Sequence, residues 1–366
     1  MSLLKDVRDM LYDEIRRRPY TAGEKIPGTR ELAEQYKVSY VTMSNVLNMF
    51  AEEGVIRQYP GKGSFVTELI SKNSLALLAP DYLLGVKAFN PETDSTCLFG
   101  LMDVYAGLLA AVEKNGFNLH VIPVNHENLN IDAILSMLTE KLKISAACFL
   151  AIGSEKLIER FESMNFPYCV VHTPAGSPFN HVAVDLEKGA YMAVNHLAEL
   201  GHRRIALISG MKDSTWFEGR YAGYCAALEK HKIEYDSKLV KESSMAKISV
   251  SVLGKLVDAL LKLPQPPTAI LVTSDRWALC VMDILKERGI KIPDNISVVG
   301  FDDFVASKVY DPPLTTVRQP FYELGMEAFS LLKDLLRDGK TQGRKTIDPF
   351  LVMRKSTARL NKKNRK

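Results

Sequence analysis

Between residues 75 and 301 the sequence alternates short apolar runs of strand length with longer amphipathic segments of helical length. The apolar runs cover residues 75–79, 119–124, 146–152, 168–172, 204–209, 269–273 and 297–301. The helical segments between them cover residues 104–115, 131–142, 189–200, 221–231, 251–263 and 278–288. This alternation is typical of α/β folds in which parallel sheets carry helices on both faces. Roughly ten strands of this kind predict two doubly wound sheets, and therefore two lobes with a cleft between them.

A chain of 366 residues is long for one hydrophobic core and predicts at least two folding units. Its N-terminal segment carries charges throughout, which argues against a secretory signal, and no apolar run has membrane-spanning length. We therefore expect a cytoplasmic protein with no membrane partner. Scattered cysteines without a CxxC pair predict reduced core thiols, with neither disulfides nor a metal site. They are Cys97, Cys148, Cys169, Cys225 and Cys280.

The first seventy residues predict a separate helical unit. Apolar residues at helical spacing predict a first helix with one buried face, and they are Leu4, Val7, Leu11 and Ile15. A second short helix is expected over residues 30–36, with Thr29 as its N-cap. Ser39 is placed to cap a third helix, which Gly54 would end in a left-handed conformation. Two short helices joined by a brief turn indicate a helix-turn-helix.

Two strands, at residues 55–59 and 64–66, follow the third helix and enclose a glycine-containing turn. A hairpin in this position is a wing, and Lys62 at its tip could meet a phosphate or enter a minor groove. The charge balance adds little, because residues 1–70 hold ten cations and ten acids and the whole chain has a net charge of +4. The argument for DNA therefore depends on where the cations lie.

The phrases IPGTRELA (26–33), EGVI (53–56) and GKGSFV (61–66) together resemble the winged-helix head of the GntR family. The resemblance covers nearly the whole head and implies a fold that binds double-stranded DNA. It assigns Arg30 to a DNA contact on the second helix and Thr42 to the recognition helix. It assigns Lys62 and Gly63 to the tip of the wing.

The recognition helix departs from the GntR pattern at two positions. The family usually has arginine where this chain has Tyr40 and Ser44, and a guanidinium is well suited to contacting guanine. Asn45 offers an amide that could instead read adenine. We expect Tyr40, Thr42, Ser44 and Asn45 to face an atypical operator. The alternative is a winged helix used only for protein contacts.

The later phrases HLAELGHRRIA (196–206), RYAGY (220–224), VVGFDD (298–303) and PPLTTV (312–317) resemble the effector domain of the LacI/GalR repressors. That domain is itself similar to periplasmic sugar-binding proteins, so the resemblance implies a two-lobed receptor. Joined to the GntR-type head, it resembles arabinose-repressor-like regulators. We expect a DNA-binding domain at 1–68, a linker at 69–74, an effector and dimerisation domain at 75–354 and a solvated basic tail at 355–366.

The LacI/GalR resemblance also indicates effector contacts. Arg220 corresponds to an arginine that clamps ligand hydroxyls or a carboxylate. Asp302 lies at the carboxyl end of a predicted strand, where open α/β sheets bind ligands. Ser274 and Asp275 follow another strand, although Asp275 could equally cap the next helix. The neighbouring Asp303 is expected to cap the segment that follows it.

Three aromatic side chains complete the expected effector site. His172 stands where the family often has aspartate, which leaves the partner of the usual ligand hydroxyl open. Trp216 falls on a pocket position and could stack on a sugar ring, and a buried structural tryptophan is the alternative. Phe99 is a second candidate for the stacking role. Trp277 is expected to belong to the core.

These features predict a repressor whose operator affinity depends on a small effector, expected to be a sugar, and which needs no cofactor or metal. We expect a homodimer on a pseudo-palindromic operator. Two alternatives are a sugar receptor without operator control and a DNA-binding head fused to an enzyme such as a pyridoxal-phosphate fold. Against the enzyme, the sequence shows no lysine in a recognisable cofactor setting and no nucleophile–base pair.

Overall fold

The computed structural model describes residues 3–17, 20, 23–67, 74–81, 98–125, 129–150, 154–173, 176–210, 215–243, 249–338 and 342–360. The chain divides into two compact units, of which one holds residues 1–76, 112–120 and 130–147 and the other holds the remainder. Within the described ranges, no helix is both long and apolar enough to cross a membrane.

The N-terminal part of the first unit is a winged helix. Its elements are α1 (Leu3–Arg17), α2 (Thr29–Gln35), α3 (Tyr40–Glu52), β1 (Ile56–Tyr59) and β2 (Gly63–Val66). The two strands pair antiparallel, and the apolar faces of the three helices share one core with the base of the hairpin. The predicted helix-turn-helix and wing are therefore confirmed.

The ends of α2 and α3 show how the local sequence sets the helix-turn-helix. Ser39 caps α3 as expected, since its hydroxyl accepts a hydrogen bond from the amide of Thr42 at 3.0 Å. Gly54 follows α3 with φ of +72°, a conformation that favours glycine. The N-cap predicted for α2 is wrong by one residue. Gly28 has the extended backbone of an N-cap, and Thr29 is already helical.

The rest of the chain contains nine further α-helices, a π-helical segment (Met137–Lys141), a short 3-10 helix (Ser237–Leu239) and twelve further strands in its described ranges. The strands are β3 (Ser74–Pro80), β4 (Asn118–Val124), β5 (Ala146–Leu150), β6 (Tyr168–Val171), β7 (His181–Val184), β8 (Ile205–Ser209), β9 (Val240–Glu242), β10 (Ala269–Val272), β11 (Ser297–Asp302), β12 (Thr315–Arg318), β13 (Arg344–Ile347) and β14 (Phe350–Val352). The helices are α4 (Leu98–Lys114), α5 (Ile131–Ser136), α6 (Glu155–Ser163), α7 (Leu186–Glu199), α8 (Thr215–Lys230), α9 (Val250–Leu261), α10 (Asp275–Glu287), α11 (Val305–Val309) and α12 (Phe321–Asp338).

The strands form two six-stranded sheets. The first sheet has the order β13-β7-β6-β5-β3-β4, and the second has the order β14-β12-β11-β10-β8-β9. The second sheet is parallel from β9 to β12, and only β14 runs antiparallel to its neighbour. Central strands such as β3, β5 and β10 are buried along their whole length, which is expected for sheets covered on both faces. The predicted pair of doubly wound sheets is confirmed.

The chain passes between the two sheets three times within the described ranges. Asp185 links β7 to α7, which packs on the second sheet. Gln319 and Pro320 link β12 to α12, which packs back on the first sheet. Asp348 and Pro349 link β13 in the first sheet to β14 in the second.

The chain after β14 is anchored as far as the structure describes it, so the expectation of a solvated tail from residue 355 is wrong for residues 355–360. The Ser356 side chain is fully buried and its hydroxyl donates to the carbonyl of Val298 at 2.6 Å. The ring of His202 hydrogen-bonds the carbonyl of Ala358 at 3.1 Å. These contacts hold residues 356 and 358 against the protein instead of leaving them in solvent. The basic residues from 361 onward lie outside the described ranges.

Candidate functional site

Helix α8 carries two of the expected effector contacts, and glycine allows it to lie close against α7. A Cβ built on Gly223 would come within 2.0 Å of the carbonyl oxygen of Glu187, so a larger residue would force the helices apart. On the side of the second sheet, the Tyr224 hydroxyl donates to the carbonyl of Ile205 at 2.8 Å. These contacts fix the helix face that presents Trp216 and Arg220.

Arg220 is 9% exposed and lies among aromatic rings. Its guanidinium carbon is 4.6 Å from the ring centroid of Phe301 and 5.8 Å from that of Trp216. One terminal nitrogen donates to the carbonyl of Trp216 at 3.3 Å. Stacked in this way, the planar cation is held in one orientation, which suits it to bidentate contacts with a ligand.

Asp302 ends β11 as a buried carboxylate with an unusual backbone. Its φ is +130°, a conformation that side chains other than glycine rarely adopt. The Ser274 hydroxyl donates to Oδ2 at 3.2 Å, and Nε2 of Gln319 donates to Oδ1 at 2.7 Å. Burial, followed by the nearby Asp275 carboxylate, raises the pKa of Asp302 to about 7, with Arg220 opposing the shift.

Gln319 has a further feature that points to a ligand. The side chain is 3% exposed, and its amide oxygen accepts no hydrogen bond from any described residue. A buried acceptor without a donor costs free energy unless something binds to it. The oxygen therefore marks a place where a donor group, such as a ligand hydroxyl, would be stabilised.

His172 contributes a ring beside Arg220. It follows β6 with φ of +61°, and its ring centroid lies 4.5 Å from that of Trp216 and 5.9 Å from that of Phe321. Burial, with a smaller effect from Arg220, lowers the pKa of His172 to about 4. The imidazole is therefore neutral at pH 7 and can both donate and accept hydrogen bonds.

We refer to these side chains together as the polar–aromatic cluster, comprising His172, Trp216, Arg220, Ser274, Phe301, Asp302, Gln319 and Phe321. It combines a cation, a carboxyl, an amide and several ring faces. Directed polar groups among aromatic rings are typical of small-ligand sites, and the rings offer faces for the C–H surface of a sugar. Across the described residues, no group of histidine, cysteine, aspartate or glutamate side chains could hold a metal ion.

Asp275 does not belong to this cluster as a contact group. Its carboxylate accepts from the hydroxyls of Ser307 and Thr316, both at 2.6 Å, and from the amide of Phe304 at 3.1 Å. The residue is fully buried and α10 has no side-chain cap, so the capping role expected for Asp275 is wrong, whereas its role as an effector contact stays a prediction. Its oxygens are already occupied, and the residue joins the start of α10 to the segments after β11 and β12.

Asp303 also differs from expectation. Its carboxylate bonds Nε of Arg318 at 2.5 Å and is ion-paired with Arg354, and α11 has no side-chain cap. Because both cations come from distant segments, local sequence could not reveal these pairs. Asp185 caps α7 by accepting a hydrogen bond from the amide of Lys188 at 2.8 Å. Trp277 belongs to the core and is 2% exposed.

Sequence reasoning missed Phe301, Gln319 and Phe321. A signal existed for Gln319, because it is a polar residue directly after the carboxyl end of β12, as Ser274 and Asp302 are near the ends of their strands. The sequence analysis did not predict β12 as a strand, so it could not recognise Gln319 as a residue at a strand end. Phe99 lies in α4, but its side chain is outside the described part of the structure.

The winged helix places the expected DNA-contacting residues on two elements and a wing. Tyr40 and Asn45 are exposed on α3, whereas Thr42 and Ser44 are partly buried. Arg30 is exposed on α2, and Lys62 is exposed at the tip of the hairpin. The structure adds Lys25, whose side chain packs against Gly63 of the wing. A Cβ on Gly63 would come within 2.7 Å of its Cε.

A shallow recess of about 550 Å³ joins the wing to the start of α2. Its lining includes Lys25 and Lys62, the glycines Gly28 and Gly63, and the acids Glu24 and Glu31. The two lysines concentrate positive charge at the hairpin tip, where a phosphate contact was predicted. The head as a whole is close to neutral, because its ten acidic residues balance its ten cations.

Comparison with known proteins gives two family matches. Residues 3–66 match the bacterial regulatory proteins of the gntR family, and residues 194–357 match the periplasmic binding protein-like domain. The chain is 33% identical over 272 residues to the HTH-type transcriptional repressor PurR of Vibrio atlanticus (strain LGP32), covering 74% of this chain and 80% of that protein.

A second relative is the HTH-type transcriptional repressor PurR of Actinobacillus pleuropneumoniae serotype 3 (strain JL03). It is 28% identical over 348 residues, which cover 91% of this chain and 99% of that protein. Among solved structures, the Lac repressor dimer bound to operator and the anti-inducer ONPF is similar with a TM-score of 0.62 and 26% identity. That similarity covers 78% of this chain and 94% of the other.

Proposed function

The chain belongs to the LacI family of transcriptional repressors and carries a GntR-type head, and on that premise we propose that a small effector bound at the polar–aromatic cluster controls its affinity for an operator. In this proposal residues 1–68 bind DNA and residues 75–354 bind the effector and form the dimer. Residues 69–74 are the linker between these two domains. Such control requires the effector to bind the operator-competent and operator-incompetent states with different affinity.

The proposed effector is a neutral or acidic sugar. Arg220 would fork two hydrogen bonds to adjacent hydroxyls or to a carboxylate. Asp302, held by Ser274 and Gln319, would contact a further hydroxyl, and the ring of Trp216 would lie against the sugar's C–H face. His172 adds a neutral donor and acceptor on the same side as Trp216.

The single observation that carries the proposal is the buried amide oxygen of Gln319. It lacks a donor among the described residues, yet the same side chain is fixed by its bond to Asp302. A ligand hydroxyl at this point would supply the missing donor while the aromatic rings exclude water. In the proposed site, a bound ligand would therefore complete the hydrogen bonding of this polar group.

The head is proposed to bind a pseudo-palindromic operator as part of a homodimer. The Lac repressor structure described above is a dimer bound to operator, and a two-fold dimer presents its two heads to symmetric half-sites. We assign phosphate contacts to Arg30, Lys62 and the backbone at Gly63. Tyr40, Thr42, Ser44 and Asn45 would face the major groove.

A thermal-shift screen of monosaccharides and short oligosaccharides against the full chain tests the effector assignment, because a ligand that binds only the folded state raises the melting temperature. A sugar that stabilises the wild type, but not Arg220→Ala, and that changes operator retention in a mobility-shift assay supports the proposal. A stabilising ligand that acts equally on both proteins would place the effector site elsewhere.

We also propose that the chain is not an enzyme, since its relatives are named as transcriptional repressors. Incubation with pyridoxal phosphate followed by an absorbance scan tests the enzyme alternative of that class. A stable absorbance band from a lysine-bound cofactor would contradict the proposal. A protein that binds sugars but retains no duplex DNA would instead favour the receptor alternative.

A further inference from the structure

The solvent-facing side of α3 carries one continuous stripe of side chains. Val41, Asn45 and Asn48 are exposed at helical spacing, directly opposite the buried Met43, Val46, Leu47 and Phe50. Val41 is 66% exposed and, unlike the buried Val46 on the same helix, is not part of the head's core. Tyr40 flanks the stripe and is 55% exposed.

This stripe contains no cation. The sequence of α3 is YVTMSNVLNMFAE, which has neither lysine nor arginine. Its one acid, Glu52, lies about 16 Å along the helix axis from Val41 at 1.5 Å per residue. The N-terminal part of a recognition helix is the part that contacts base edges, so Glu52 lies beyond the bases that Val41 and Asn45 would meet.

Positive charge is instead presented by the elements beside α3. Arg30 is exposed on α2, and Lys25 and Lys62 line the recess at the wing. Cations in these places suit the sugar-phosphate backbone, which fixes the position of the protein without reading sequence. Because the cations lie on α2 and at the wing, the groups left on α3 to contact bases are apolar and amide side chains.

Each base offers different chemistry in the major groove. Guanine is read best by arginine or lysine at O6 and N7, adenine is read by asparagine at N6 and N7, and the thymine methyl is met by apolar side chains. We propose that α3 reads a half-site whose core is A·T pairs, with Val41 against a thymine methyl and Asn45 bidentate to an adenine. This inference rests on the proposed DNA-binding function and specifies the sequence class that the head recognises.

The test begins with selection of bound duplexes from a randomised library by the full-length protein. The expected result is an enriched half-site with A·T pairs at its core. Each core thymine is then replaced by deoxyuridine, which removes only the methyl group. Loss of one buried methyl should weaken wild-type binding about fourfold at the contacted position.

Substitutions then identify which side chains of α3 contact the bases. Val41→Ala should bind the thymine and deoxyuridine duplexes equally, because its methyl contact is already gone. Val250→Ala is the matched control, since Val250 is a similarly exposed valine (63%) on α9, and it should keep the fourfold response. Asn45→Ala should bind about tenfold more weakly and should no longer respond to 7-deazaadenine at its adenine.

Two outcomes would overturn the inference, and they differ from failure of the proposed function. A selected half-site with G·C pairs at its core would show DNA binding without this mode of reading. An equal response of wild type and Val41→Ala to deoxyuridine would remove Val41 from the contact. If no duplex is enriched at all, both the inference and the proposed operator binding are wrong.

Discussion

The Asp275 carboxylate occupies the space where a side chain at Gly300 would begin. A Cβ built on Gly300 would lie 2.1 Å from Oδ1 of Asp275 and 2.8 Å from Cδ2 of Leu314. Because Gly300 on β11 has no side chain, the buried Asp275 carboxylate has room to join the start of α10 to β12 and to the segment around Ser307. Gly300 and Asp302 lie on the same strand, and burial, followed by the nearby Asp275 carboxylate, raises the pKa of Asp302.

Replacing Gly300→Ala should lower the free energy of unfolding by about 1–3 kcal/mol, because the new methyl overpacks a site filled by a fixed carboxylate. Urea unfolding followed by circular dichroism measures the change. Gly176→Ala is the matched control, since no atom lies within 4 Å of its Cβ position, and it should stay within about 0.5 kcal/mol of wild type. Equal effects of the two substitutions would refute the overpacking explanation.

The pH dependence of stability should contain two opposing contributions from the polar–aromatic cluster. Asp302 has a folded-state pKa of about 7 against an ordinary 3.8, so between these values the folded protein keeps a proton that the unfolded chain releases. Its contribution to the free energy of unfolding falls as pH rises. His172 has a folded-state pKa of about 4 against 6.5, so its contribution rises over that window. Each slope approaches 1.4 kcal/mol per pH unit.

Single variants should separate these contributions. Asp302→Asn should gain stability relative to wild type as pH rises from 4 to 7. His172→Asn, which tolerates the positive φ of this position, should lose stability relative to wild type as pH rises from 4 to 6.5. Urea unfolding at intervals of half a pH unit provides the measurement. Curves that stay parallel to wild type would show that neither group titrates as described.

Arg220→Ala should remove effector response without removing operator binding. Loss of a forked, charged hydrogen-bond donor should weaken effector binding by about 2–4 kcal/mol, or roughly thirty- to a thousandfold. Asp302→Ala should have an effect in the same direction. Calorimetry with a sugar identified in the thermal-shift screen measures both. Arg276→Ala, an exposed arginine on α10, should bind like wild type, and unchanged affinity in Arg220→Ala and Asp302→Ala would exclude this cluster as the site.

The salt dependence of operator binding should report the phosphate contacts of the head. Arg30→Ala and Lys62→Ala should each reduce the slope of log affinity against log salt by about one, since each would remove one of the proposed phosphate contacts. Fluorescence anisotropy of a labelled operator over a range of salt concentrations gives the slope. Lys156→Ala, an exposed lysine on α6, should leave it unchanged. A wild-type slope in both head variants would show that other groups contact the backbone.

The sequence predicted the fold more fully than the site. Strands such as β5 and β10 are continuous apolar runs, so their burial is visible in the chain itself. By contrast, β13 and β14 are edge strands without a continuous apolar run. Side chains of β13 alternate between exposed and partly buried, and those of β14 are exposed or partly buried. These strands are defined by their pairing with β7 and β12. Short strands at sheet edges leave a weak local pattern.

The candidate site shows the same limit. Sequence resemblance selected Arg220, Ser274 and Asp302, which the structure brings into one cluster with Gln319. It could not separate Asp302 from Asp275, because the hydroxyls that occupy Asp275 belong to Ser307 and Thr316, more than thirty residues away. Whether a carboxylate is available to a ligand depends on such distant partners.

The three passages of the chain between the sheets determine how the receptor could move. Within the part of the chain that the structure describes, a rotation of one sheet relative to the other would be absorbed at Asp185, at Gln319 and Pro320, and at Asp348 and Pro349, because the flanking residues belong to strands or helices. Gln319 belongs to one of these three connections and is also the amide bonded to Asp302. A ligand that bonds its free oxygen would therefore contact one of the three connections between the sheets directly.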